Sequence, residues 1–232
     1  MKIGSREWAN VIVEGARAFD LELSSHHTDL FAVHARELVH WTQITNLTTI
    51  TDPFEIAVKH FVDSLAPVAF IPPDTSFLLD IGSGGGFPGI AIKIVRPSLT
   101  VTLIDASRKK ISFLKHVIRT LNLQGIEALH VRAEALADDP SYRRHFDFIV
   151  SRALSDLKSF VQQALPLLAT DGVILALKGR VDQTQVEAVQ SMVMRAPHAS
   201  NSTQRRCAVT VEKYGLPFTQ SKRSIIAIKG CL

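Results

Sequence analysis

The chain has 232 residues, 46% hydrophobic and 21% charged, which suits one folded domain, or one domain with an extension, built on a real core. No apolar run reaches the roughly 18 residues of a membrane span, and Met1-Lys2-Ile3-Gly4-Ser5 opens without the apolar stretch of a signal peptide. The net charge of +4 is uneven: residues 1–75 hold five Lys/Arg against ten Asp/Glu, and residues 76–232 hold 21 against 12. A basic C-terminal half is compatible with a polyanionic partner, and a solvated basic surface explains it equally well. The two cysteines, Cys207 and Cys231, lack metal-site spacing and are too few for a disulfide framework. The expectations are structural thiols, no metal and a cytoplasmic setting.

In chain order, residues 5–50 read as helices. Trp8, Val11, Ile12, Ala16, Phe19 and Leu23 recur at three- and four-residue steps. Ser24-Ser25-His26-His27 interrupts the pattern, and a second helix follows near Leu30 to Trp41. Asn46-Leu47-Thr48 and Asp52-Pro53 mark a loop. Pro53 then opens a third helix carrying Ile56, Phe61, Leu65 and Val68. Ile71-Pro72-Pro73-Asp74 breaks the chain, and short β-branched runs begin to alternate with amphipathic stretches. The expected strands are 77–81, 100–104, 126–131, 146–151, 173–178, 208–213 and 223–229. The expected helices are 89–95, 109–121, 156–168 and 183–195. Such alternation predicts an α/β fold with a parallel sheet covered on both faces. Tyr214-Gly215-Leu216-Pro217 reads as a turn, so the last two strands form a hairpin. A seven-stranded, mostly parallel sheet with an antiparallel last strand is the shape of a Rossmann-like methyltransferase.

The first strand runs into Asp80-Ile81-Gly82-Ser83-Gly84-Gly85-Gly86-Phe87-Pro88-Gly89, five glycines within eight residues. A phosphate-binding P-loop needs Gly-Lys-Ser/Thr, which Phe87-Pro88 excludes. Gly84, Gly86 and Gly89 fit the dinucleotide pattern only loosely. Asp80, Gly82, Gly84 and Gly86 match the acidic-x-G-x-G-x-G pattern of S-adenosylmethionine (SAM) sites in full. An acidic residue there repels a pyrophosphate, whereas it helps to neutralise the ammonium of SAM. The glycines let backbone pass against the ligand. Asp105 ends the second strand, where a carboxylate can accept both hydroxyls of a ribose. Glu134, after the third strand, is by itself a surface carboxylate, but with the other two acids it suits the adenine amino group.

These residues belong to a longer pattern. Asn46-Leu47-Thr48, His60-Phe61-Val62-Asp63-Ser64-Leu65, the glycine turn through Gly-Phe-Pro-Gly, and Arg96-Pro97 come first. Asp105, Lys109-Lys110, Phe113-Leu114, Ser151-Arg152-Ala153 and Ala176-Leu177-Lys178-Gly179 follow. In this order, over about residues 40–180, the chain resembles the bacterial small-subunit ribosomal RNA guanine-N7 methyltransferases, the glucose-inhibited division protein B family. The resemblance implies methylation of guanine N7 in the decoding-region loop of 16S ribosomal RNA. It implies SAM binding through Gly82, Phe87, Ala133, Glu134 and Arg152. It also implies that Lys109, Lys110, Arg132 and Lys178 suit RNA or the active site, with His60 joining them. Residues 1–70 are then an N-terminal helical extension packed on a methyltransferase domain, 71–232. The expected partner is 16S ribosomal RNA or a small-subunit particle, with no membrane, and the protein is expected to be a monomer.

The chemistry agrees. Guanine N7 carries a lone pair and no proton, so alignment suffices and no general base is expected. The slot after the fourth strand holds Ser151-Arg152-Ala153 rather than the Asn/Asp-Pro-Pro-aromatic motif of exocyclic amine methylation. Neither cysteine lies near the glycine turn in sequence, as a cytosine-C5 nucleophile would. Arg152 can clamp the SAM carboxylate or meet the RNA, and Lys178 is assigned to phosphate; both position rather than exchange protons. His60 is alternatively a core-edge histidine, and Asp63 its local partner or a helix ion-pair member. Phe87 packs beneath SAM or stacks an extruded base. Two other functions keep the same sheet: a nucleotide-dependent oxidoreductase or dinucleotide-binding module, and a SAM enzyme acting on a small molecule.

Overall fold

The computed structural model describes residues 1–152, 156–179, 181–195 and 207–230. Ala153 of the Ser-Arg-Ala motif and Cys231 lie outside them. Three helical segments come first. Helix α1, Arg6–Arg17, starts at Ser5, whose side chain accepts from Trp8 N, and α2, Ser25–Thr42, starts at Ser24 in a reciprocal capping box with His27. The third segment, α3, spans 53–70. Asp52 caps it through Glu55 N and Pro53 occupies its first turn, where a missing N–H costs nothing. Within α3 the backbone widens to a π-helix over Ile56–Val62, returns to α over Asp63–Leu65 and tightens to 3-10 over Ala66–Phe70. Such widened turns concentrate at functional sites, and this one carries Lys59 and His60.

The sheet follows: β1 Phe77–Ile81, β2 Thr100–Asp105, β3 Ile126–His130, β4 Phe146–Arg152, β5 Leu168–Lys178, β6 Ala208–Gly215 and β7 Lys222–Lys229. Its order is β3-β2-β1-β4-β5-β7-β6. Strands β1 to β5 run parallel, while β7 runs antiparallel to both β5 and β6. The helices between strands are α4 Gly89–Val95, α5 Arg108–Thr120, α6 Ala133–Asp138, α7 Leu157–Ala164 and α8 Gln183–Arg195. Strand β5 starts earlier than 173, because Thr170-Asp171-Gly172, with Asp171 at φ 65°, reads as a turn yet lies within the strand.

Side chains alternate between two cores, as period-two geometry requires. Val173, Leu175 and Leu177 face one core, and Ile174 and Ala176 the other. The first core also takes Trp8, Ile12, Phe31, Leu38, Phe61 and Leu65. The N-terminal helices therefore share apolar interior with the sheet. The second core is closed by α6, α7 and α8. Strand order reverses between β1 and β4, and ligands of open α/β sheets bind at the carboxyl ends beside such a reversal. Cys207, buried before β6, is disulfide-bonded rather than the thiol expected. Among the described residues no helix is long and apolar enough to cross a membrane.

Candidate active site

The turn after β1 divides its glycines into two kinds. Gly82 and Gly84 have φ of 75° and 56°, and a Cβ added to them meets nothing closer than 3.8 Å. They border open space at the carboxyl edge of the sheet. Gly85 and Gly89 are glycine for packing instead, and Gly86, at φ 88°, for both reasons. A Cβ comes within 2.9 Å of Leu38 at Gly85, 2.6 Å of Ile90 at Gly86 and 2.4 Å of Leu103 at Gly89.

Asp80 lies beneath this turn, not on its surface. It is wholly buried, and its Oδ2 accepts from Gly89 N at 2.9 Å. Burial pushes its carboxyl up to about 7, against the pull of the Gly89 N–H and the Arg152 charge. Its Oδ1 is buried and has no hydrogen-bond partner among the described residues. Asp80, expected from sequence to help neutralise the SAM ammonium, sits beneath the turn and holds it through Gly89 N. Asp105, at the end of β2, accepts from Gly84 N at 3.1 Å and Ser107 N at 2.8 Å, with Lys110 Nζ at 3.9 Å. Ala133 is buried at the start of α6, and exposed Glu134 accepts from Gln163 at 2.7 Å. Lys109 and Arg132 are exposed on the same rim. The ends of β1, β2 and β3 thus gather Gly82, Gly84, Asp105, Ala133 and Glu134. Open backbone beside Gly82 and Gly84, with carboxylates beyond it, fits the amino-acid end and ribose of SAM.

Phe87 closes the turn, preceding a cis peptide bond to Pro88. Its ring stacks with His34, 4.7 Å away at 11°, and with His60, 4.8 Å away at 15°, with Phe61 edge-on at 5.2 Å. With these partners Phe87 is only 4% exposed, which leaves little of its ring for an extruded base. His34 is fully buried and its Nε2 lies 2.8 Å from Gly85 O. Burial pushes it down to about 4, so it is neutral and Nε2–H donates to that carbonyl. Sequence reasoning passed over His34, an isolated polar residue among Phe31, Ala35 and Leu38.

His60 is 7% exposed and both ring nitrogens are engaged. Nε2 pairs with Thr48 Oγ1 at 2.9 Å, and Nδ1 lies 3.4 Å from Arg152 Nη2. Burial, then the Arg152 charge, holds it down at about 3. A neutral His60 that donates to Thr48 accepts from Arg152, and its ring lines the cleft described below. Arg152, at the end of β4, also donates to Lys59 O at 3.0 Å and sits 5.1 Å from the Phe87 ring centre. Asp63 is not bonded to His60. Its Oδ1 accepts from Tyr214 OH at 2.9 Å and Arg223 Nε at 3.2 Å, and its Oδ2 lies 4.0 Å from Arg152 Nη1. Tyr214 and Arg223 escaped the sequence reading because they lie on β6 and β7, about 150 residues from Asp63 in the chain.

These groups line a cleft of about 480 Å³, which Arg152 connects to the glycine turn through its contact with Phe87. Lys59, Arg152, Lys178 and Arg223 face it, with Asp63 as its carboxylate and Leu47, Ile50 and Leu177 as apolar wall. Lys178 Nζ donates to Gln185 at 2.7 Å. A second hollow of about 450 Å³ adjoins at Gly179 and Arg223 and is lined by Gln220, Ser221 and Lys222.

A parallel sheet with one reversed strand and an open glycine turn at its switch point defines a SAM-dependent methyltransferase of the Rossmann-like class. Solved structures share the fold. A SAM-dependent methyltransferase from Aquifex aeolicus superposes with a TM-score of 0.56 at 16% identity, covering 80% of this chain and 97% of that one. A protein from Corynebacterium glutamicum gives 0.55 at 15%, over 87% and 90%. Residues 28–214 match the family described as rRNA small subunit methyltransferase G, GidB, and the chain belongs to that family. The ribosomal RNA small subunit methyltransferase G of Geobacter sp. strain M21 is 43% identical over 94% of this chain and 95% of its own. That of Geotalea uraniireducens is 47% identical over 78% and 81%.

Proposed function

We propose that the protein transfers the methyl group of SAM to N7 of a guanine in the decoding-region loop of 16S ribosomal RNA. The observation that carries this reading is a cationic cleft lined by Arg152, the same side chain that packs on Phe87 of the glycine turn. SAM supplies an electrophilic methyl carbon. Gly82 and Gly84 admit its methionine end, Asp105 takes the ribose, and Ala133 and Glu134 border the adenine. The target base enters the cleft between Leu47, Ile50 and Leu177, while Lys59, Lys178 and Arg223 attract the phosphates around it. Arg152 spans both halves and fixes their relative position.

N7 loses no proton on methylation, so alignment of nucleophile, methyl carbon and sulfur is the main requirement. The cleft's side chains suit that. His60 has both nitrogens engaged, and Asp63 is held by Tyr214 and Arg223. Residues 1–70 act as one wall of the RNA cleft and 71–232 as the methyltransferase unit. The substrate is the RNA within a small-subunit particle or free, the enzyme works in the cytoplasm, and it acts as a monomer.

The test is ribosomal RNA from a strain lacking the gene, probed for N7-methylguanosine by borohydride–aniline cleavage. Loss of one cleavage, restored by the gene, supports the reading. An unchanged pattern overturns it.

A further inference from the structure

We propose that Asp63 is the residue that reads guanine, accepting N1–H and the N2 amino group of the target base through Oδ2. The inference rests on the guanine reading above and adds how the cleft rejects other bases. Among the residues lining the cleft that are described, Asp63 supplies the carboxylate and the rest of the charge is cationic. Its two oxygens are not equivalent. Oδ1 already accepts twice, from Tyr214 OH and Arg223 Nε. Among the described residues Oδ2 has Arg152 Nη1 at 4.0 Å, too far for a hydrogen bond, and no other partner, so it is the oxygen left to accept from a base.

The carboxylate is also held still. Tyr214 on β6 and Arg223 on β7 grip it from one side, and Asp63 belongs to the same helical segment as His60, which Thr48 and Arg152 fix. At 6% exposure its charge is little screened by water. An uncommitted, rigid acceptor beside cations matches guanine, which offers adjacent N–H donors on its Watson–Crick edge and an acceptor at O6. Adenine presents a lone pair at N1 and would meet the carboxylate acceptor to acceptor. A site built to accept a hydrogen bond discriminates strongly against a base that lacks the donor.

The experiment compares methylation of a substrate RNA carrying guanosine or inosine at the target position. Inosine keeps N7, O6 and N1–H and lacks only the N2 amino group. Single-turnover rates are measured for the wild type and for Asp63→Asn. The asparagine keeps an oxygen for Tyr214 and Arg223 but offers a neutral amide to the base. The wild type is expected to lose roughly 10- to 100-fold on inosine, the range for one hydrogen bond to a charged group. Asp63→Asn is expected to be slow on both RNAs, with the guanosine-to-inosine ratio collapsing toward one. An unchanged ratio in Asp63→Asn overturns the proposal, because a purely structural aspartate would slow both RNAs alike. Equal wild-type rates on the two RNAs also overturn it, and that arm needs no variant to fold. No wild-type methylation of either RNA, with SAM still bound, instead counts against the guanine reading itself. SAM affinity and melting temperature of Asp63→Asn establish that the variant is folded.

Discussion

The guanidinium of Arg152 lies 5.1 Å from the ring centre of Phe87, so the end of β4 is braced against the turn after β1. The same side chain reaches Lys59 O, His60 and the neighbourhood of Asp63. It therefore joins the half of the site that receives SAM to the half that receives the base. Arginine makes these contacts with a planar, multiply donating fork, which lysine lacks. Arg152→Lys keeps the charge and loses the brace. Single-turnover methylation is expected to fall about 100-fold, the cost of a small misalignment. A rate within twofold of wild type would show that charge alone suffices.

The two kinds of glycine separate function from stability. At Gly84 a side chain projects into open space, so Gly84→Val adds backbone strain of about 1–2 kcal/mol at φ 56° and obstructs the ligand. SAM affinity is expected to drop at least tenfold by calorimetry while the protein stays folded. At Gly89 a Cβ meets Leu103 at 2.4 Å and Asp80 Oδ2 at 2.7 Å. Gly89→Ala is expected to lower the melting temperature more than Gly84→Val does. The reverse order would contradict this division.

Asp80 under the turn is expected to act through its bond to Gly89 N. Asp80→Asn preserves an acceptor and most SAM affinity. Asp80→Ala leaves a buried N–H unpaired and costs roughly 1–3 kcal/mol of stability, with loss of SAM binding. Calorimetry and thermal melts on both variants check this. If Asp80→Asn abolishes binding as fully as Asp80→Ala, the charge itself is required.

Acid should destabilise the apoprotein before most carboxylates titrate. His34 and His60 are held down at about 4 and about 3 from an ordinary 6.5. As pH falls below 6.5 the unfolded chain takes up two protons that the folded chain refuses, so stability drops. Asp80, raised from 3.8 to about 7, works oppositely: its stabilisation is present at low pH and is lost as pH rises through 7. Two groups against one leave a net loss of about 1 kcal/mol per pH unit between 6.5 and 4. Urea midpoints at pH 7 and pH 5 measure it. Asp80→Asn, which removes the opposing group, is expected to steepen the slope, and a flat profile would refute the assignment.

Lys178 faces the cleft and is tied to Gln185, away from the glycine turn. Lys178→Ala is expected to lower kcat/KM for RNA about tenfold and to leave SAM affinity unchanged. It should also reduce the salt dependence of RNA binding by about one phosphate contact. Loss of SAM affinity would move Lys178 to the cofactor side.

The alternation of short β-branched runs with amphipathic stretches was sufficient to place a parallel sheet, because burial on both faces demands those periodicities. The glycine turn, Asp105 and Arg152 were legible for the same local reason: each sits at a strand end, where the fold puts ligands. Tertiary structure alone decided what those residues touch. Asp80 stands next to the glycines in sequence, yet β1 carries it under them. Phe87 looked free to stack a base, but His34 and His60, from two different helical segments, pack on its ring and leave it buried. Asp63 sat three residues from His60 and suggested a local pair. A sheet that brings β6 and β7 back beside α3 gave it Tyr214 and Arg223 instead. Local pattern specifies elements and their ends, because it depends on neighbours along the chain. The partners of a buried polar side chain depend on which elements pack together, and in this protein those partners separate the residues that shape the site from those that face its ligands.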